Sequence, residues 1–195
     1  MKKSFFLYFL FSISLFLGCN NSGEIKTSSS TKLYSYKQED WKSKQITQFV
    51  NDINYSATEV PIKYYLLKNI NEEDSAKIDS LYNVNSKERI IEVEFQHVDK
   101  KDLLEKGYTQ KSYEDGVKYL SFQIENDFTV ITSSNDTIKC SGAHFERNFK
   151  VAPFKRALLY FNNVPPNDNI KLIYQDQLFG NGIIKFNFTE TPLKL

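Results

Sequence analysis

Few residues in this chain are of a type that does chemistry, and most of them fall between positions 92 and 156. Cys140 and His144 stand four apart in Cys140-Ser141-Gly142-Ala143-His144. A cysteine and a histidine can form a metal pair or a thiol nucleophile with its base. In an extended strand they would lie about 13 Å apart, too far for either role. A bulge at Gly142 would bring them closer. The simpler reading makes Cys140 a small buried hydrophobe that shares strand parity with Ile138. His97, the other histidine, shares parity with Ile91, Val93 and Phe95 and reads as a structural histidine ending a core face.

Two histidines and two cysteines, with no Cys-x-x-Cys or His-Glu-x-x-His, argue against an all-protein zinc site. No cofactor is expected. Asn167-Asp168-Asn169 leaves a calcium site open but lacks the EF-hand spacing. Glu92 and Glu94 sit about 7 Å apart on one strand face, a spacing that suits glycosidase carboxylates. Their parity is opposite to the apolar face, so a solvated exterior is the simpler reading. There is no Gly-x-Ser-x-Gly elbow, phosphate-cradling loop or dinucleotide fingerprint.

Residues 145–156 differ in character. They hold two of the three arginines, Arg147 and Arg156, among Phe145, Phe149 and Phe154, with Lys155 beside them. Arginine and aromatics together are enriched at interface hot spots. Arg147, Phe149, Phe154, Lys155 and Arg156 are therefore the candidate partner-binding residues. The competing reading is a strand–loop–strand crossover whose phenylalanines are core and whose cations pair with Glu146 or sheet acids.

The elements that would position these residues are mainly strands. Ile91, Val93 and Phe95 alternate with Glu92, Glu94 and Gln96. Leu120, Phe122 and Ile124 alternate as well, and Phe128 and Val130 continue that parity across a bulge at Asn126-Asp127. Ser133 to Asp136 reads as a turn, residues 137–149 as the returning strand, and residues 154–161 as a central strand. Pro165-Pro166-Asn167-Asp168 marks a turn. Gly180-Asn181-Gly182 predicts a hairpin between residues 172–174 and 184–188. Upstream, Ile46, Phe49, Val50 and Ile53 recur at helical spacing and predict a helix over residues 38–54. Residues 60–67 read as a strand with Pro61 near its start, and residues 72–82 as a short helix capped by Asn71. Six to eight strands predict a mainly β fold, an immunoglobulin-like or related β-sandwich with a small N-terminal helical annex. With 16 Phe, 12 Tyr and 1 Trp the chain has the aromatics to fill such a core.

The N-terminus carries an address. Lys2 and Lys3 precede an apolar run over residues 5–17, about 20 Å long as a helix. That is short of the ~30 Å hydrocarbon layer and reads as a signal-peptide core. Leu15-Phe16-Leu17-Gly18-Cys19 follows. A small residue directly before a cysteine resembles the lipobox of bacterial lipoproteins, although Phe16 replaces the usual aliphatic residue. The resemblance implies cleavage between Gly18 and Cys19 and diacylglycerol on the Cys19 thiol. An ordinary signal peptide and an uncleaved anchor are the alternatives. Residues 1–18 are then the signal peptide, 19–32 a flexible tether rich in serine, and 33–195 one β-rich domain.

Removing residues 1–18 takes away Lys2 and Lys3 and leaves 23 basic groups, from 25, against 24 acidic ones. That balance argues against nucleic acid as a partner. Asn20 rather than Asp follows the cysteine, which favours the outer membrane over inner-membrane retention; the face of that membrane stays open. The expected role is a lipid-anchored binding or assembly module of the cell envelope, with an envelope protein or glycan as partner. An envelope hydrolase acting on glycan or peptide and a passive structural lipoprotein are the alternatives. The lipid assignment predicts that Cys19→Ala either releases the protein from the membrane fraction or leaves it unprocessed, and abolishes lipid labelling. Unchanged size, labelling and fractionation would refute it.

Overall fold

The computed structural model describes residues 33–35, 41–69, 75–148, 151–165, 167–189 and 193–194. The signal and tether segments, the Asn71 cap and Phe149 lie outside these residues. Alternation of apolar and polar side chains sets most of the architecture. Strand β4 (Arg89–His97) buries Ile91, Val93, Phe95 and His97 on one face. Strand β9 (Ile170–Asp176) buries Ile170, Leu172, Tyr174 and Asp176, and β10 (Gly182–Phe188) buries Ile184, Phe186 and Phe188.

The fold is mainly β and consists of two antiparallel sheets packed as a sandwich. The large sheet takes the order β1 (Leu33–Ser35), β2 (Trp41–Val50), β3 (Ile53–Val60), β4, β8 (Phe154–Phe161), β7 (Gly142–Glu146). A short β11 (Leu193–Lys194) also pairs with β2. The small sheet takes the order β10, β9, β5 (Phe128–Ile131), β6 (Thr137–Lys139). Aromatic rings weld the two sheets. Phe95 and Tyr55 of the large sheet meet Tyr174 of the small one at 5.5 and 6.3 Å, and within the small sheet Phe128 stacks on Tyr174 with centroids 4.4 Å apart. Such pairs contribute about 0.5–1.5 kcal/mol each beyond their buried area.

Among the described residues three α-helices complete the fold. Helices α1 (Ile62–Asn69) and α2 (Ser75–Val84) form an annex between β3 and β4, joined by Lys63 and Asp79 at 3.0 Å. The annex meets the large sheet where the Tyr65 and Tyr160 hydroxyls lie 3.1 Å apart. Helix α3 (Tyr113–Phe122) runs into a 3-10 turn, Ile124–Asp127. Among the described residues no helix is long and apolar enough to cross a membrane.

Several local expectations are corrected. Over the described residues 41–54, the expected helix is instead part of the hairpin β2–β3. Asn51 and Asp52 both take positive φ, 46° and 64°, and make a two-residue turn with Val50 opposite Ile53. The apparent helical stripe mixed two strand faces, so Ile46 is buried while Phe49 is 53% exposed. The strand expected over 60–67 ends at Val60, because Pro61 has no N–H for the ladder. Its carbonyl instead accepts the first bond of α1, from Tyr65 N–H at 3.0 Å. The strand expected around 120–124 is helix α3 and the 3-10 turn. Ser112 caps it, its Oγ accepting the Asp115 N–H at 3.1 Å. Leu120 and Ile124 are buried one turn apart, whereas Phe122 is 72% exposed. The single returning strand over 137–149 splits at Cys140-Ser141, with β6 in one sheet and β7 in the other. The 180–182 hairpin exists, but its loop spans residues 177–181, with Gly182 opposite Asp176. The helix expected over 72–82 corresponds to α2.

Glu59 and Arg89 form a buried ion pair. Arg89 donates from Nε and Nη2 to both carboxylate oxygens, and from Nη1 to the Pro165 and Asp168 carbonyls at 3.1 Å each. This ties the β3–β4 ladder to the turn between β8 and β9. Glu59→Gln leaves the guanidinium buried without its counter-charge and is expected to lower unfolding free energy by about 3–5 kcal/mol in urea melts. The double variant Glu59→Met/Arg89→Met is expected to recover about half of that loss.

Candidate functional site

The segment singled out in the sequence forms the edge of the large sheet. Among the described residues β7 pairs with β8 alone, and Ala143 and Phe145 lie opposite Leu159 and Ala157 on the inner face. The structure separates the five candidate residues. Lys155 points inward, is 2% exposed, and pairs with Asp102 at 2.9 Å. Arg156 points outward and is held by Glu94 at 2.8 Å, Glu92 at 3.4 Å and Glu146 at 3.5 Å. Its guanidinium lies 4.6 Å from the centroid of the Phe154 ring. Arg156 thus pairs with Glu146 and sheet acids as the crossover reading has it, with Glu92 and Glu94 on the exterior, whereas the acid that holds Lys155 comes from the loop after β4. Arg147 is exposed and pairs with none of the described acids. Phe149 is outside the described residues.

Arg147 opens onto a groove of about 270 Å³ between α3 and the β7–β8 corner. Tyr113, Glu114 and Val117 of α3 form one wall, and Phe145, Arg147, Asn148 and Lys155 the other, with Leu104 between them. The lining is mostly apolar. Its polar groups are largely spoken for. Glu114 pairs with Lys118 at 3.0 Å, one helical turn on. The Asp102 partner of Lys155 also accepts the Leu104 N–H at 3.0 Å and so fixes the backbone that presents Leu104. Asn148 donates to the Ala152 carbonyl at 3.4 Å and to that of Phe154, folding the β7–β8 loop back. Arg147 is left as the one exposed cation of the lining.

Gly116 sets the width of this corner. A Cβ there would come within 2.9 Å of Leu104 Cδ2, so a larger residue would fit only if the end of the Leu104 side chain shifted. On the same buried side, Tyr119 donates to Asp127 at 2.7 Å. Its hydroxyl lies 3.4 Å from that of Tyr174. Tyr174 in turn donates to Asp176 Oδ1 at 3.1 Å, and Tyr55 donates to Oδ2 at 2.8 Å. Asp176 also accepts the N–H groups of Leu178, Phe179 and Asn181 at 3.0, 2.9 and 3.1 Å. The Asn181 side chain donates to the Tyr55 hydroxyl at 2.6 Å. Burial pushes the Tyr55, Tyr119 and Tyr174 phenols well above their usual range, so all three stay protonated as donors.

The thiol and histidine are not brought together. The Cys140 S–H donates to the Gly142 carbonyl at 3.1 Å, and the side chain packs against the core. His144 is exposed on the outer face of β7, opposite Leu158. His97 is buried, accepts the Asp99 N–H on Nδ1 at 3.0 Å and packs on Tyr108 at 4.7 Å. Sequence reasoning missed Leu104, Tyr113 and Val117, although Ser112-x-x-Asp115 was the signal for the helix that carries two of them. It also missed Asp176, whose signal was an acid just ahead of a glycine-flanked turn.

Comparison with protein families, curated proteins and solved structures finds no match to this chain.

Burial also pushes the Cys140 thiol above its ordinary range. Less thiolate at a given pH means a slower nucleophile. Iodoacetamide at pH 8 is expected to alkylate the native protein at least about tenfold more slowly than the urea-unfolded chain. Equal rates would mean that the thiol is exposed and reactive.

Proposed function

We propose that this protein is a lipid-anchored binding module of the bacterial cell envelope, and that the groove between α3 and β7 is its working surface. The observation that carries this reading is the groove itself. It is an apolar concavity of about 270 Å³ lined in part by Arg147, a cation with no acid partner among the described residues. Few polar groups converging on an apolar pocket is the usual make-up of a binding site.

The sheet order supports the orientation such a module needs. The tether would enter at β1, on one edge of the large sheet, and the groove lies at β7, on the other. Five strand spacings separate these edges, about 24 Å at roughly 4.8 Å each. Acylation of Cys19 would supply the anchor, since each buried CH₂ contributes about 0.8 kcal/mol. Outer-membrane residence and an envelope partner belong to the same proposal.

A photo-crosslinking amino acid placed at Val117 in living cells is expected to give a discrete adduct, and one at Val84 on the exposed face of α2 none. Arg147→Glu is expected to reduce the Val117 adduct at least about fivefold with the urea midpoint unchanged. Equal adducts at both positions, or none at Val117, would overturn the assignment of the groove.

A further inference from the structure

Building on the groove as the binding surface, we infer that its occupant is a small amphiphile: one unbranched apolar chain ending in a carboxylate. Three features of the site select that chemistry. The first is charge. Lys155 is neutralised by Asp102 at 2.9 Å, and Glu114, exposed on the helix surface, pairs with Lys118 at 3.0 Å. Arg147 has no acid among the described residues, so the site offers one cation and asks for one anion. A guanidinium presents a planar fork of donors that matches a carboxylate in two bonds.

The second is the wall chemistry. Leu104, Val117, Phe145 and the Tyr113 ring give a continuous apolar lining that offers a bound chain little to hydrogen-bond with. A cavity of about 150 Å³ lined by Leu, Ile and Phe holds a benzene ring. A groove of about 270 Å³ has room for a longer hydrocarbon.

The third disfavours a peptide strand. An added strand needs a run of unpaired main-chain groups along a sheet edge. At β7 the outward N–H of Ala143 is already taken by Glu125 Oε2 at 3.1 Å. The ladder is interrupted where a peptide backbone would have to zip on. An occupant without amide groups loses nothing there.

The test is calorimetric titration of the full-length lipidated protein in phospholipid nanodiscs with decanoate and with decanol, empty nanodiscs serving as the blank for partitioning. Decanoate is expected to bind at least about tenfold more tightly than decanol. Arg147→Ala is expected to bring the two together by weakening decanoate alone. Val117→Trp, which fills the groove, is expected to abolish both, with an unchanged circular dichroism spectrum showing that the fold persists. Equal binding of decanol and decanoate to the wild type would overturn the anionic head group. Decanoate binding that survives Val117→Trp would place the ligand elsewhere and overturn the inference. If neither ligand binds while the Val117 crosslink persists, the occupant is a protein: the inference fails and the groove stands. If the crosslink is absent as well, both fail.

Discussion

The carboxylate of Asp176 accepts five hydrogen bonds inside the sandwich, and the placement of both sheets depends on them. Two come from tyrosines on opposite sheets, Tyr55 in β3 and Tyr174 in β9. Three come from the backbone of its own loop, at Leu178, Phe179 and Asn181. A buried carboxylate is costly unless its lone pairs are satisfied, and here they are. Proton accounting shows where the network divides. Tyr174 gives its one proton to Asp176, and Tyr119 gives its own to Asp127. Their hydroxyls, 3.4 Å apart, therefore touch without sharing a proton. Two hydrogen-bonded units meet there, one belonging to the sheets and the other to α3.

That meeting point links the interior to the surface proposed to bind. Tyr119 is on α3, and its ring, Gly116 and Leu120 are the buried face of that helix. Val117 and Tyr113, on the adjoining face, line the groove. The helix is thus fixed from below by the phenol contact and from the side by the Gly116–Leu104 approach. On the opposite wall, Lys155 and Asp102 hold β8 against the Leu104 backbone. The charged side chains of the lining pair with one another or with neighbours, and among the described residues Arg147 is the exception.

How much of this was legible in the sequence follows from how local each signal is. The strands β4, β8, β9 and β10 alternate at period two, and burial there depends on parity alone. Misreadings arose where one pattern served two periods. Leu120 and Ile124 fit a strand as i, i+4 with Phe122 between them, and they fit a helix as one full turn. Ser112 decided the matter, through a cap that acts only on the first turn. Ile46, Phe49, Val50 and Ile53 imitated a helix because a tight turn at Asn51-Asp52 brought two strands into one window. The segment 145–156 was marked by its arginines and aromatics, yet its partners in the groove came from 104–117, some 40 residues upstream. Ion pairing sorted its cations, and those pairs, Lys155–Asp102 and Arg156–Glu92, join residues more than 50 positions apart. No local pattern encodes such pairs.

The central claim is that Asp176 fixes Tyr174, and that the contact of Tyr174 with Tyr119 in turn seats the helical wall of the groove. Hydrogen–deuterium exchange of the full-length protein and its Asp176→Asn variant tests this most directly. An amide in place of the carboxylate sets N–H groups against the donors of the 177–181 loop. The account predicts faster exchange in that loop, in α3 and in β7, with α1 and α2 unchanged because the annex rests on other contacts. Faster exchange confined to residues 177–181, with α3 as protected as in the wild type, would contradict it.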